Sequence, residues 1–356
     1  MKVALAGFAQ SGKSTLLSAV SGKPAAMAGS NQIDEAVVPV PDARLDWLTG
    51  VYQPKRTVRA SVDCLDFPGI SFVDDTARSA SRRLLTQART VDMFVLVVRA
   101  FNNESVPPYR GSVDPRRDVS ELLSEFLLAD LDMVMTRIGK LQEQIKKGSK
   151  NAATDKEELE LQLKLQEALE NERPASTVIQ TEREEEIVRA LGFLTLKPLM
   201  VVLNVGEGDL DKDFGIPGIV DKAVPVMTLS AQIEQELSTL DAESRSVFMA
   251  DLGITESAVS RFVNKCYEAM GFISFLTVGP DAVRAWPVRL GISALDAAGK
   301  IHSDIKRGFI RAETMSYADL QKHGDEKAVK AAGRARLEGK TYILEDGDII
   351  NFRFNV

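Results

Sequence analysis

Close to its start the chain reads Gly7-Phe8-Ala9-Gln10-Ser11-Gly12-Lys13-Ser14, which fits the pattern G-x-x-x-x-G-K-[ST] of a phosphate-binding loop. Residues 2–6 before it are apolar and prone to form a strand, and residues 14–20 after it have the composition of a helix. Such a loop turns backbone N–H groups and the positive end of the helix toward an anion. The segment therefore predicts a nucleotide-binding site. The residues expected to bind the phosphates are Gly7, Ala9, Gln10, Ser11, Gly12, Lys13, Ser14 and Thr15.

Three side chains of this segment have separate roles in the predicted site. Lys13 is expected to reach the β- and γ-phosphates, and the hydroxyl of Ser14 is expected to bind Mg²⁺. Thr15 is placed to hydrogen-bond the α-phosphate. We therefore predict Lys13 as a catalytic residue and Ser14 as a metal ligand.

A second motif ends the strand predicted at residues 58–65, where polar and apolar residues alternate. It reads Asp66-Phe67-Pro68-Gly69, the pattern D-x-x-G. An aspartate at the end of a strand beside a phosphate-binding loop holds Mg²⁺, usually through water, and the Gly69 N–H can contact the γ-phosphate. We predict Asp66 as a metal ligand, and Asp66 and Gly69 as catalytic residues beside Lys13.

The composition limits the classes of protein that fit. The chain has 356 residues, enough for two or three domains, and its net charge of −7 argues against a dedicated nucleic-acid-binding protein. It has two histidines, His302 and His323, too few for a histidine metal cluster. The two cysteines lie in apolar patterns and suggest buried thiols in a reducing compartment. We predict a cytoplasmic protein without membrane contact, because no apolar run is long enough for a bilayer. We also predict a monomer.

Apolar segments predict the remaining strands of the nucleotide-binding domain. Residues 92–99 have the composition of a buried parallel strand, and residues 198–203 and 223–229 resemble it. Strands and helices alternate along this part of the chain. The fold class predicted is α/β, with a mostly parallel sheet and helices on both faces.

A helical arm is inserted between two of these strands. Its first half has apolar residues at spacings of 4-3-4-3-4, and residues 155–172 continue as a charged, leucine-containing helix. The spaced residues are Leu127, Leu131, Val134, Ile138, Leu141 and Ile145. We predict an antiparallel coiled-coil hairpin. The lysines near its tip (Lys146, Lys147, Lys150 and Lys156) fit either a solvated helix end or a contact to RNA or an acidic surface.

The pattern changes again from about residue 275, where short strands alternate with a helix. Residues 341–344 and 349–354 flank Glu345-Asp346-Gly347-Asp348 and predict a β-hairpin in a small α+β domain. The predicted organisation is a nucleotide-binding core at residues 1–117 and 175–274, an arm at 118–174 and a C-terminal domain at 275–356.

A candidate base-reading segment, Asn204-Val205-Gly206-Glu207, follows the strand at 198–203. P-loop GTPases have N-K-x-D at this location, and the aspartate accepts hydrogen bonds from guanine. Here Val205 replaces the lysine, and Glu207 replaces the aspartate with a side chain one methylene longer. Ser230-Ala231 matches the Ser-Ala pair that lines the base in those proteins. We predict Asn204, Val205, Glu207, Ser230 and Ala231 as nucleotide-binding residues, without the guanine-specific geometry.

Taken in this order, the motifs resemble the YchF subfamily, the Obg-like ATPases of the translation-factor class of P-loop GTPases. The resemblance covers nearly the whole chain. It includes the segments 7–14, 37–46, 66–69, 204–207, 283–286, 297–302, 306–312 and 347–356, as well as the arm. It implies a GTPase-type core, a helical arm and a C-terminal TGS domain of β-grasp shape. It also implies ATP as the preferred nucleotide and association with ribosomes or stress regulation, through the arm and the TGS domain.

The chain departs from the family pattern around the phosphates. The family usually has Pro-Asn where this chain has Ala9-Gln10, and it has a switch threonine ahead of residues 37–41. No threonine lies between Thr15 and Thr49, so Ser30 is the candidate for the third metal ligand. Ile70 follows Gly69 where Ras-like proteins place a water-positioning glutamine, which implies slow hydrolysis.

Three functions are compatible with these residues. The first is a slow, Mg²⁺-dependent hydrolase of ATP that acts as a switch on the translation machinery. The second is a nucleotide-sensing adaptor with little or no turnover. The family's second switch is glycine-rich, whereas residues 70–78 of this chain are not, and this difference separates the two functions. A phosphate-release assay would decide between them. The third is a GTP-specific GTPase, which competition between ATP and GTP would distinguish.

Overall fold

The computed structural model of the chain describes residues 1–23, 32–148, 151–251 and 257–355. These residues divide into two compact units. The first unit consists of residues 1–36 and 63–259, and the second of residues 37–62 and 260–356. Each unit therefore consists of two separate segments of the chain.

Twelve strands and thirteen α-helices lie within the described residues. The strands are β1 (Lys2–Ala6), β2 (Asp34–Pro39), β3 (Thr57–Val58), β4 (Ser61–Asp66), β5 (Met93–Ala100), β6 (Leu199–Val205), β7 (Val226–Leu229), β8 (Phe272–Thr277), β9 (Val283–Arg289), β10 (Phe309–Ser316), β11 (Arg336–Glu338) and β12 (Asp348–Phe354). The helices are α1 (Lys13–Ser21), α2 (Ala43–Tyr52), α3 (Asp75–Gln87), α4 (Pro115–Lys146), α5 (Ala152–Glu170), α6 (Glu182–Val188), α7 (Ala231–Thr239), α8 (Ala242–Asp251), α9 (Ala258–Ala269), α10 (Ala294–Ile301), α11 (Ser303–Arg307), α12 (Tyr317–His323) and α13 (Glu326–Ala331).

The sheet that carries the predicted motifs has six strands in the order β2-β4-β1-β5-β6-β7. Parallel pairs run from β4 through β1, β5 and β6 to β7. All eight residues of β5 are buried, as expected of a central strand covered on both faces. The prediction of a mostly parallel sheet is confirmed. The proline-containing β2 lies at the edge, where a missing N–H donor is tolerated.

The order of strands brings the predicted motifs to one edge of the sheet. The phosphate-binding loop follows β1, the D-x-x-G segment follows β4, and Ser230 follows β7. Asn204 is the penultimate residue of β6. Because the carboxyl ends of parallel strands meet at the same edge, four segments distant in sequence converge there.

The inserted arm is a helical hairpin formed by α4 and α5. Its apolar side chains pack in one cluster, in which Val134 and Leu165 are fully buried. The cluster continues beyond the hairpin to Ala175, Val188 and Phe193, so the base of the arm belongs to the first unit's packing. Arg137 of α4 forms a bidentate ion pair with Glu158 of α5, which fixes the register of the two helices. Within the described part of the chain, no helix is both long and apolar enough to cross a membrane.

The second unit has a mixed six-stranded sheet in the order β11-β10-β12-β8-β9-β3. β12 lies antiparallel to β10 and parallel to β8. The hairpin predicted from residues 341–354 is wrong, because residues 341–344 form no strand. Ile343 instead makes an isolated bridge to Ser293, and Leu344 is buried beside α10.

The structural division differs from the sequence-based domain bounds at residues 37–62, which were assigned to the nucleotide-binding core. Leu45 and Leu48 of α2 are fully buried in a cluster with Leu276 and Val283 of the second unit. Arg44 adds a salt bridge to Asp346 at 2.7 Å. Helix α2 therefore contributes to the same apolar core as the C-terminal residues.

Candidate nucleotide-binding site

The phosphate-binding loop passes so close to neighbouring chain segments that its glycines have no room for a side chain. A Cβ at Gly7 would overlap the carbonyl oxygen of Val97, and a Cβ at Gly12 would overlap the side-chain amide of Asn204. Gly12 also has a φ of +95°, a left-handed conformation that glycine adopts at little cost. The loop therefore requires glycine at both positions of its motif.

Lys13 lies in the first turn of α1 and folds back over the loop. Its Nζ donates hydrogen bonds to the carbonyl oxygens of Gly7 at 3.1 Å and Phe8 at 2.9 Å. The side chain is only 5% exposed, and this burial lowers the pKa of Lys13 to about 8, against the opposing effect of the Asp66 charge. A buried cation is thus held at the centre of the loop, where an anionic ligand would stabilise its charged form.

Ser14 and Asp66 meet beside this lysine. Ser14 Oγ donates to Asp66 Oδ2 at 2.5 Å, while Oδ1 of the same carboxylate is buried and has no hydrogen-bond partner. Burial raises the pKa of Asp66, although the hydrogen bond from Ser14 and the charge of Lys13 oppose the shift. A buried oxygen without a partner, next to a hydroxyl oxygen, is suited to a hard divalent cation.

Ser14 Oγ and Asp66 Oδ1 are the kind of oxygen ligands that Mg²⁺ has beside a bound nucleotide, where phosphates and water supply the remaining ligands. No cluster of three or more His, Cys, Asp or Glu side chains that could hold a metal lies within the described residues. A metal at Ser14 and Asp66 would therefore need ligands from a nucleotide. The third predicted ligand, Ser30, lies outside the described residues. The geometry therefore supports a cation site that depends on bound nucleotide.

The D-x-x-G segment lies directly against the phosphate-binding loop. A Cβ at Gly69 would come within 2.6 Å of the Cα of Ala9, so only glycine allows this approach. The Ile70 N–H donates to the Gly7 carbonyl at 3.2 Å, and Ile70 forms an isolated bridge with Phe8. The two predicted phosphate-contacting segments are thus joined through their backbones.

Asn204 connects the loop to the segment after β7. Its Nδ2 donates to the Ser11 carbonyl at 3.0 Å, and its Oδ1 accepts from the Ala231 N–H at 2.9 Å. Ser230 caps α7, its hydroxyl accepting from the N–H of Ile233. Both amide atoms of Asn204 therefore hold protein segments together, which the motif alone did not indicate.

The other predicted base-reading residues differ sharply in burial. Val205 is 2% exposed and packs in the apolar core beside Leu203 and Ile216. Glu207 begins a short 3₁₀ turn at Glu207–Asp209 and is exposed. Val205 is therefore part of the apolar core, whereas the carboxylate of Glu207 faces solvent.

The remaining predicted residues lie around the loop entrance. Ala9 and Gln10 are exposed, and Gln10 adopts a left-handed φ of +61°. Ser11 is buried, and its hydroxyl has no hydrogen-bond partner. Thr15 is half-buried in α1. In sequence these residues flank Lys13, as the motif requires.

Two aromatic residues near the loop were missed by sequence reasoning. The ring of Phe8 stacks on that of Tyr109 and meets that of Phe72 edge-on. Phe8 occupies a variable position of the motif, and Tyr109 lies in a segment without any motif. An aromatic residue inside the loop was the signal available for Phe8, whereas Tyr109 had none.

Two protein families match the chain. Residues 2–137 match MMR_HSR1, described as "50S ribosome-binding GTPase". Residues 272–355 match YchF-GTPase_C, described as "Protein of unknown function (DUF933)". The first match contains the phosphate-binding loop and the D-x-x-G segment, and the second covers the C-terminal part of the second unit.

Similar proteins cover the chain almost completely. It is 37% identical over 363 residues to "Ribosome-binding ATPase YchF" of Bacillus subtilis, covering 99% of this chain and 98% of the relative. It is 32% identical over 369 residues to "Obg-like ATPase 1" of Gallus gallus, covering 100% of this chain and 92% of the relative. A solved structure, "Structure of the Schizosaccharomyces pombe YchF GTPase", superposes with a TM-score of 0.85 at 29% identity, covering 99% of this chain and 97% of that one.

The converging motifs and the matched GTPase family define a P-loop nucleotide-binding protein with a GTPase-type domain, a helical insertion and a C-terminal YchF-type domain. Within that class the chain belongs to the YchF/Obg-like ATPase family. The resemblance inferred from the sequence is thereby confirmed.

Proposed function

We propose that this chain binds a nucleoside triphosphate with Mg²⁺ and hydrolyses it slowly, as a regulatory switch. The observation that carries this proposal is the meeting of Lys13, Ser14 and Asp66 at the phosphate-binding loop, with Ser14 Oγ 2.5 Å from Asp66 Oδ2. The names of the relatives, which describe ATPases, support the same activity.

In this proposal the catalytic power comes from positioning and charge. Lys13 stabilises negative charge on the β- and γ-phosphates, and the Gly69 N–H contacts the γ-phosphate. Ser14 and Asp66 would hold Mg²⁺, which when bound neutralises charge on the phosphate oxygens. The loop residues Gly7 to Thr15 bind and orient the phosphates.

Slow turnover follows from the residue after Gly69. Ile70 is 2% exposed and packs in the core against Phe8, so its side chain cannot orient a water molecule for attack. In GTPases with a glutamine at this place, that residue orients the attacking water. The same observation favours the second candidate function, a nucleotide-sensing adaptor with little or no turnover, which a phosphate-release assay would distinguish.

We further propose that ATP binds at least as well as GTP. Guanine recognition in this class depends on a carboxylate held against N1–H and the 2-amino group. Glu207 is exposed and one methylene longer than the aspartate of the guanine motif, so no strong discrimination against adenine is expected. Ser230, Ala231 and the backbone at Val205 would then line the base without selecting guanine.

The proposed macromolecular partner is the ribosome, as the name of the Bacillus subtilis relative states for that protein. The end of the helical hairpin is the proposed contact, since Lys146, Lys147 and Lys156 are exposed there. Lys150 lies outside the described residues. The C-terminal unit, which the resemblance assigns to a TGS domain, is the second proposed contact. With this partner we propose a cytoplasmic location, and a monomeric state remains a prediction.

Competition titration tests the proposed nucleotide. A fluorescent ATP analogue is displaced by ATP or GTP, with Mg²⁺ present and again with the metal chelated. We expect ATP to compete at least as well as GTP, and chelation to weaken both. A GTP preference above about a hundredfold, or roughly 2.7 kcal/mol, would contradict the ATP assignment and leave a GTP-specific GTPase.

Sedimentation with purified ribosomes tests the partner separately. We expect co-sedimentation that depends on bound nucleotide and decreases when Lys146, Lys147 and Lys156 are replaced by glutamine. A matched variant replaces three exposed lysines of the first unit that lie outside the arm, Lys2, Lys23 and Lys222, with glutamine. Equal loss in both variants would indicate non-specific attraction between a charged surface and RNA.

A further inference from the structure

Behind the phosphate-binding loop, three aromatic rings pack together. The rings of Phe8 and Tyr109 stack with centroids 3.6 Å apart and planes 8° from parallel. Phe72, which follows the D-x-x-G segment, meets Phe8 edge-on at 6.0 Å and 82°. Phe8 is 3% exposed, so its ring is fixed on several sides.

The position of Phe8 bears directly on the charged centre of the loop. The carbonyl of Phe8 accepts a hydrogen bond from Lys13 Nζ at 2.9 Å, the shorter of that group's two bonds. A shift of Phe8 would therefore move one of the two acceptors that aim the lysine. Small misplacements of this kind are costly for ligand positioning.

Tyr109 is itself held firmly from the far side. Its hydroxyl donates to Glu121 of α4 at 2.9 Å, and its carbonyl accepts from Arg117 Nη2 at 3.1 Å. Arg110 binds the same Glu121 carboxylate through two nitrogens. Arg110 has a left-handed φ of +50°, an unusual conformation for a side-chain-bearing residue, and the surrounding bonds maintain it. The ring that supports Phe8 is thus anchored to the first turns of the arm.

We propose that Tyr109 is a positioning residue for the phosphate-binding loop. By stacking on Phe8 it holds the loop backbone, and through it Lys13, in the geometry that binds the phosphates of a nucleotide. This inference rests on the proposed function of the loop. It also connects the arm to the site, because Arg117 of α4 holds the carbonyl of Tyr109, a bond that does not depend on the tyrosine hydroxyl.

The alternative is that Tyr109 only fills space in the core. A comparable aromatic pair, Phe94 of β5 and Phe126 of α4, packs edge-on at 4.9 Å in the same apolar cluster. Phe126→Leu therefore provides a matched control. It removes a ring from this core while leaving the contacts of Phe8 and Lys13 intact.

The test is a double-mutant cycle on nucleotide affinity. We expect Tyr109→Leu and Phe8→Leu each to weaken binding of a fluorescent ATP analogue about tenfold, and the double variant to be no weaker than either alone. Such non-additivity indicates that the two rings act as one unit. Tyr109→Phe, which keeps the ring and removes the hydroxyl, should remain within threefold of the unchanged protein. Phe126→Leu should lower the thermal midpoint without changing affinity.

Hydrogen exchange of the unliganded protein gives a readout that does not depend on binding. We expect the backbone amides of residues 8–14 to exchange faster in Tyr109→Leu and to remain protected in Phe126→Leu. Unchanged affinity and exchange in Tyr109→Leu would overturn the inference, as would an equal affinity loss in Phe126→Leu. If Tyr109→Leu does not fold, the Phe8→Leu variant is judged by the same two measurements. Failure of the unchanged protein to bind nucleotide would instead refute the proposed function.

Discussion

The two ends of the candidate nucleotide site are built differently. At the phosphate end, Lys13 and Asp66 are buried, and Lys13 and Ser14 hydrogen-bond to protein partners. At the base end, Glu207 is exposed at the start of a short 3₁₀ turn. Asn204 lies between them and has a hydrogen bond on each amide atom.

This difference indicates which part of recognition the fold itself supplies. Phosphate recognition depends on backbone geometry that several strands fix together, so it is hard to alter without disturbing the sheet. Base recognition depends on a solvent-facing side chain that few contacts restrain. We therefore expect substitutions at the phosphate end to change affinity strongly, and substitutions at the base end to change selectivity weakly.

The largest effect is expected at Lys13. Lys13→Ala removes the buried cation beside the phosphates and should weaken nucleotide binding by ~2–4 kcal/mol, the scale of losing one partner of a close charge pair. Titration with a fluorescent nucleotide measures it. Lys23→Ala, at an exposed lysine just beyond α1, should leave affinity unchanged. Affinity of Lys13→Ala equal to that of the unchanged protein would show that the loop is not the binding site.

The next effect is expected where the two ends are joined. Asn204→Ala removes hydrogen bonds to the Ser11 carbonyl and the Ala231 N–H, and should lower the free energy of unfolding by ~2–3 kcal/mol. Urea unfolding measures this change. Asn351→Ala, at an exposed asparagine of β12, serves as the control. If Asn204→Ala kept full stability, the asparagine would not hold the segments together.

A smaller effect is expected for the metal. Asp66→Asn keeps the shape of the side chain and removes its charge, so the gain in affinity on adding Mg²⁺ should fall about tenfold, or about 1.4 kcal/mol. Titrations with and without a chelator give that gain. Asp132→Asn, at an exposed aspartate of α4, should retain it in full. An undiminished Mg²⁺ dependence in Asp66→Asn would remove this residue from the metal site.

The smallest effect is expected at the base. Glu207→Asp restores the shorter carboxylate of the guanine motif and should shift preference toward GTP by about 1 kcal/mol. Val205 is left unchanged, because a lysine there would place a charge in the apolar core. Competition with ATP and GTP measures the shift. Glu207→Gln keeps the length of the side chain and removes its charge, so it distinguishes the effect of charge from that of length. A shift of equal size in both variants would show that side-chain length is not the cause.

Sequence reasoning succeeded where a motif carries its own context. The segment at 7–14 and the D-x-x-G at 66–69 each follow a strand, so their place at one edge of a parallel sheet could be predicted. The apolar spacing from Leu127 to Ile145 likewise predicted the helix of the arm. These features depend on neighbours within a few residues, and local pattern determines them.

The features that could not be predicted depend on partners distant in the chain. Tyr109 stacks on Phe8 although no motif connects them. Helix α2 packs with strands that begin more than two hundred residues later, so its apolar face gave no sign of which unit it joins. The segment 341–344 has strand-like composition, but Leu344 is buried against α10 instead of pairing in a hairpin. In α2 and in residues 341–344, packing against distant residues outweighs the local preference of the sequence.

The division of the chain has a consequence for any attempt to exchange modules within this family. The backbone leaves the first unit after Ala36, re-enters it at Asp63 and leaves again after Val259, so three covalent crossings join the two units. A gene fusion that replaced only the residues after 259 would retain α2 without the core that buries Leu45 and Leu48. The C-terminal unit is therefore not a simple appendage. A workable graft must carry residues 37–62 together with residues 260–356, as a two-segment exchange.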